Sequence, residues 1–136
     1  MSFQEKSAIA TLVALAIVFG GYFTIYVVVA PAPPAMVILF IIAVIALVTL
    51  LAGSHAVMAI LDLRGAQDEP DERDNLIELK AIRTASTVLG MGALASASLW
   101  LVEATTLQMA HAMLLSLVVA EIVQRSIQIA HYRRGV

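Results

Sequence analysis

Residues 35–61 read AMVILFIIAVIALVTLLAGSHAVMAIL, without one Asp, Glu, Lys or Arg. As a helix rising about 1.5 Å per residue, this stretch exceeds the roughly 20 residues needed to cross a hydrocarbon core of about 30 Å. Comparable apolar runs lie on either side of it, at about 7–29, 82–102 and 106–130. The whole chain is 61% hydrophobic and 13% charged, with a mean hydropathy of +0.94, whereas about a quarter of residues are charged in soluble domains. It therefore reads as an all-α integral membrane protein, with four transmembrane helices arranged as two hairpins in a single domain over 1–136. The third helix is expected to extend into the cytosol.

The first run ends in VVVAPAPPA, where Ala30 to Ala32 offers small residues like those of a signal cleavage site. Its apolar length far exceeds the roughly 7–15 residues of a signal core, and only Lys6 precedes it, so it reads as a retained span. Cysteine is absent, which excludes disulfides, thiolate metal sites and cysteine nucleophiles.

All eight Lys and Arg residues fall on one side of this topology: Lys6, then Arg64, Arg73, Lys80 and Arg83, then Arg125, Arg133 and Arg134. The connections on the other side, APAPPA and VEATTLQMA, carry none. The positive-inside tendency puts both termini and the segment 62–81 in the cytoplasm. Tyr22, Phe23, Tyr26 and Trp100 lie near the outer ends of their runs, and Phe3 and Tyr132 near the inner face. Both positions suit aromatic rings at the headgroup level. Pro31, Pro33 and Pro34 end the first run and stiffen the outer turn.

The segment QDEPDERDNLIELK, residues 67–80, holds six of the ten acids. Pro70 and a capping Asp68 mark a helix start, with a helix running from about Asp71 into the third span. At about 100° per residue, Asp71, Asp74 and Glu78 share one side, and Arg73 and Lys80 the other. Such a helix can turn its basic side to anionic headgroups and its acidic side to the cytosol. The interaction candidates are Asp71, Glu72, Arg73, Asp74, Glu78, Lys80 and Arg83. The island reads as a solvated helix start, as a docking surface for a cytosolic protein, or as a site for a hard divalent cation. It lacks the glycine and alternating ligands of a calcium loop, so no metal site and no cofactor are assigned. Convergence of His55, Asp62 and His131 with these acids near the inner face stays open for a softer ion. A weak repeat accompanies the island: LDLRG closes at Gly65 and HYRRG at Gly135, which suggests duplicated hairpins.

Within the spans, Glu121 is followed one turn later by Arg125, the favourable order for an i,i+4 ion pair, with Gln124 and Gln128 available as hydrogen-bond partners. His55 is expected near the same depth, so that His55, Glu121 and Arg125 form an intramembrane polar cluster. Alternatively, His55 satisfies a carbonyl or hydroxyl between helices. Glu103 and His111 read as wet loop or interfacial residues. Small residues recur in GMGALASAS, residues 90–98, and at Ala112, Ser116 and Ala120. That pattern pairs the third span with the fourth.

The run DERDNLIELKAIRTA, residues 71–85, set before a span in a short four-span chain ending YRRG, resembles small bacterial inner-membrane proteins of domain-of-unknown-function families. The resemblance implies a bacterial inner-membrane location and brings no activity or site residues. The first functional expectation is a non-enzymatic protein that assembles with itself or a cytosolic protein, contacts membrane lipid, and binds no nucleic acid. The alternative is a small proton-coupled transporter or an ion- or metal-binding membrane protein. Small multidrug exporters resemble this chain in size but carry a glutamate within the first span, where this chain has no carboxylate after Glu5. Glu121 is then the only plausible coupling residue.

Overall fold

The computed structural model describes residues 3–61 and 72–134. Four helices make up nearly all of it: α1 (Phe3–Val28), α2 (Pro33–Leu61), α3 (Glu72–Ser98) and α4 (Thr106–Arg134). A 3-10 turn, Leu99–Val102, prolongs α3, and no strand occurs among the described residues. All four helices are long and apolar enough to cross a membrane, so the chain is an all-α, multi-pass membrane protein. They run past the apolar stretches chiefly at the charged ends. For example, α3 begins at Glu72 although its apolar run begins near 82. Once a helix is nucleated, each further residue gains a backbone hydrogen bond whatever its side chain, so helices outrun their hydrophobic boundaries. Asp62, Arg64, Gly65, Asp68, Pro70, Asp71 and Gly135 lie outside the described residues.

Contacts divide the chain into two compact units, Met1–Asp71 and Glu72–Val136. In the first, α1 packs antiparallel to α2. Ser7 meets His55, and fifteen residues on, Tyr22 meets Phe40, fifteen residues back along α2. The α1 positions that pack are Ala8, Thr11, Leu15, Phe19 and Tyr22, recurring every three or four residues. Tyr22 stands edge-on to Phe19, Phe23 and Phe40, at centroid distances of 6.2, 5.3 and 6.2 Å. The residue is 3% exposed, so this tyrosine fills the seam between α1 and α2. Along α2, by contrast, Val37, Ile38, Ile41, Ile42, Ile45 and Val48 are exposed. In lipid such a surface needs no cover, because acyl chains are as apolar as the side chains they meet.

The connection between α1 and α2 is shaped by its prolines and by one left-handed residue. Val29 donates to the Ile25 carbonyl (2.9 Å), and Ala30 then takes φ 44°. Pro33 and Pro34 open α2, where a missing amide proton costs nothing, and the Ala32 carbonyl accepts from Ala35 and Met36.

In the second unit α3 and α4 pack closely. A Cβ added to Gly92 would fall 2.5 Å from Ser116 Oγ and 2.6 Å from Ser116 Cβ. Ser96 and Ser116 approach to 3.4 Å, each already donating its hydroxyl proton to its own helix, at the Gly92 and Ala112 carbonyls. The small residues in the last turns of α3 and the first half of α4 therefore sit at the contact, where close backbone approach gains dispersion energy that lipid cannot supply. The helices reverse through a Schellman ending. Glu103 is left-handed (φ 57°), Glu103 N–H donates to the Trp100 carbonyl, and Ala104 N–H donates to the Leu99 carbonyl. Thr105 and Gln108 then cap α4 reciprocally: Gln108 N–H donates to Thr105 Oγ1 (3.2 Å), and Thr105 N–H to Gln108 Oε1 (2.8 Å).

Candidate functional site

The charged start of α3 is the first candidate. Ile77, Ala81 and Ala85 are buried at intervals of four, and Asp74 is half-buried on the same side. This stripe holds the first turns of the helix against its own unit. Glu72, Arg73, Glu78, Lys80 and Arg83 are all exposed, as are Leu76 and Leu79. Glu72 and Asp74 lie in the first turn, where carboxylates favour the positive end of the helix dipole. Asp74 and Arg133 each have a partner. The acidic side thus begins beside the packed stripe, and the basic side turns outward. Asp71 lies outside the described residues.

A second group lies where α1 meets α2. His55 Nδ1 is 2.7 Å from the Leu51 carbonyl, which can only accept, so Nδ1 carries a proton. Nε2 stands 2.7 Å from Ser7 Oγ, and in the neutral ring it accepts the serine proton. Thr11 donates to the Ser7 carbonyl (3.0 Å) and so lies on the same side of α1. This Ser7 contact is the hydroxyl-satisfying role between helices anticipated for a lone histidine.

The third group is confined to α4. Arg125 donates from Nε (2.9 Å) and a terminal nitrogen (2.6 Å) to the same oxygen, Glu121 Oε1, and from its other terminal nitrogen to Gln128 Oε1 (3.1 Å). Glu121 and Arg125 are partly exposed and Gln128 is buried. The structure brings Glu121 and Arg125 together as a pair. His55 belongs to the other unit and finds Ser7 there.

Two polar residues occupy positions that the pattern of charges does not foretell. His111, read above as interfacial, is 8% exposed and bonds the Leu107 carbonyl through Nδ1 (2.7 Å). Glu5 is buried at 7% and has a partner. All three histidines hold the carbonyl four residues back through Nδ1, an option open to any helical histidine and invisible in spacing alone. Ser7 and His55 are 48 residues apart, so only the register of α1 on α2 reveals their contact. Thr105-x-x-Gln108 fits the capping-box pattern and is the signal by which the start of α4 could have been found. Among the described residues, no three His, Asp or Glu side chains gather as metal ligands. No protein-family model, curated protein or solved structure matches the chain.

Proposed function

We propose that this chain is a non-enzymatic membrane protein of the bacterial inner membrane that docks a protein partner through the charged start of α3. Both termini and that start lie in the cytoplasm. The observation that carries this reading is the contrast within α3. Its first three turns are anchored on one side by Ile77, Ala81 and Ala85, yet they leave Glu72, Arg73, Glu78, Lys80 and Arg83 exposed. The packed stripe holds these side chains on an ordered helix, which lowers the entropy lost when a partner binds. The small four-span bacterial proteins that residues 71–85 resemble fit the same location.

The Glu121–Arg125 pair is structural on this reading. Both charges are met on the same helix, and Gln128 completes the arginine's contacts. The test is recovery of a defined partner, first identified by cross-linking the intact membrane and then purified. Glu72→Lys with Glu78→Lys, both at exposed positions, abolishes its binding while helicity and thermal unfolding in detergent stay as in the parent chain. Binding unaffected by the double reversal would remove α3 as the docking element.

A further inference from the structure

The outward side of α3 carries a pattern that an acidic docking helix does not use. Arg73, Leu76, Leu79, Lys80 and Arg83 are all exposed, Leu76 at 57% and Leu79 at 63%. At about 100° per residue they fall within an arc of about 120°, centred about 140° from the buried Ile77–Ala81–Ala85 stripe. Among the described residues no hydrogen bond or ion pair engages the charged groups of Arg73, Lys80 or Arg83; the Thr84 and Thr87 hydroxyls donate only to the backbone carbonyls of Lys80 and Arg83. Glu72 shares the arc but sits at the first residue of the helix, about 16 Å along the axis from Arg83. Asp74 and Glu78 lie outside it.

The same arc continues into the span. Thr87, Gly90, Met91 and Leu94 are exposed on it, so the side of α3 that meets acyl chains is continuous with the basic, leucine-bearing face. Depth agrees with direction. If the exposed Trp100, a residue type that favours the membrane boundary, marks the far edge of the hydrocarbon, Arg83 lies about 26 Å and Lys80 about 30 Å along the helix from it, at the opposite edge of a core about 30 Å thick. Leu79 reaches that edge, and Arg73 lies further out, beyond the headgroups' inner limit. Cations with long apolar stems at this level extend toward phosphate while the stems and leucines stay against the acyl boundary.

We propose that the Arg73–Leu76–Leu79–Lys80–Arg83 face of α3 binds anionic phospholipid headgroups, with the arginines and lysine on phosphate and the leucines against the glycerol and upper acyl region. This rests on the reading that the start of α3 lies at the membrane surface. It assigns the two sides of one helix to different ligands, lipid on the basic side and protein on the acidic side.

The chain has no cysteine, so Leu76→Cys in the full chain accepts a single polarity-sensitive fluorophore. The labelled protein is reconstituted into vesicles of phosphatidylcholine alone, or with about a third phosphatidylglycerol to supply the negative surface potential. A blue shift is expected with the anionic lipid and not with the neutral one, and it reverses as salt rises. Lys80→Gln weakens the dependence on anionic lipid about fivefold, and Arg73→Gln with Arg83→Gln on top of it removes the shift. Glu78→Gln leaves it intact. Emission identical in the two lipids overturns the proposal. So does a shift that follows the protein-to-lipid ratio but not lipid charge, because a second copy then covers the face. The vesicles carry the same lipid on both leaflets, so a wrong orientation leaves this readout untouched. Orientation is read separately, by the reach of an impermeant thiol reagent to unlabelled Leu76→Cys in intact cells.

Discussion

Ser7 and His55 show what one hydrogen bond contributes where water is scarce. Interhelical hydrogen bonds in membranes average about 0.6 kcal/mol and reach about 1.7, because the separated helices also find partners. Ser7→Ala and His55→Leu are each expected to cost about 1 kcal/mol, and the double variant little more than either single one. A double-mutant cycle of unfolding in mild detergent measures this, and fully additive costs would show that the 2.7 Å contact carries no coupling. Two other residues carry backbone strain. Ala30 at φ 44° and Glu103 at φ 57° occupy the left-handed region, which costs a residue with a Cβ about 1–2 kcal/mol. Ala30 also precedes Pro31, which narrows its choices further. Replacing either by glycine removes the clash and adds unfolded-state entropy, for a net gain of up to about 1 kcal/mol. Ala32→Gly, in the same loop without positive φ, is the control and should not stabilise. A rise in the unfolding midpoint for Ala32→Gly equal to that for Ala30→Gly would mean the strain argument is wrong.

At the scale of the element, two glycines separated by one residue on α3 have opposite roles. A Cβ at Gly92 collides with Ser116, whereas a Cβ at Gly90 meets nothing within 4 Å. Gly92→Ala forces α3 and α4 apart or displaces Ser116, and overpacking of this kind costs about 1–3 kcal/mol. Gly90→Ala is neutral or stabilising by up to about 1 kcal/mol, because alanine stiffens the helix without touching its partner. Parallel unfolding of the two variants decides the matter: equal effects would show that the close approach at Gly92 does not support the pair. The sequence marks both glycines alike in GMGALASAS. What it lacks is the rotation of α3 against α4, which chooses which small residue faces the partner. Helix existence was legible because apolar length is a one-dimensional property. Cross-helix contacts such as Ser7 with His55 or Gly92 with Ser116 depend on register and rotation, which a run of apolar residues leaves open. The burial of Tyr22 and His111 was hidden for the same reason, since amphipathic rings suit both a headgroup zone and a helix seam.

For the whole molecule, the four spans and the one-sided placement of Lys and Arg act together. Each span is long and apolar enough to cross a membrane, so hydropathy alone permits either orientation; on the proposed topology the cations break the tie. The two described loops between paired helices contain no Lys or Arg, while the first turns of α1 and α3 and the last turn of α4 carry Lys6, Arg73, Arg133 and Arg134. On the orientation proposed above, retention of basic residues on the cytoplasmic side sets the sense in which each helix pair inserts. In a chain without cysteine, single substitutions report this directly. Ala32→Cys and Glu103→Cys, one in each cation-free loop, should react with an impermeant thiol reagent in intact cells. Asn75→Cys, exposed on the first turns of α3, should react only after the membrane is opened. If Asn75→Cys is labelled from outside, the start of α3 faces away from the cytoplasm and the proposed docking of a cytosolic partner fails. If Ala32→Cys and Glu103→Cys instead label on opposite sides, the two helix pairs insert in opposite senses and the cations do not set the orientation. Moving charge distinguishes cause from coincidence: adding two lysines beside Glu103 should reduce labelling at that loop, because the pair then carries basic residues at both ends and loses its bias.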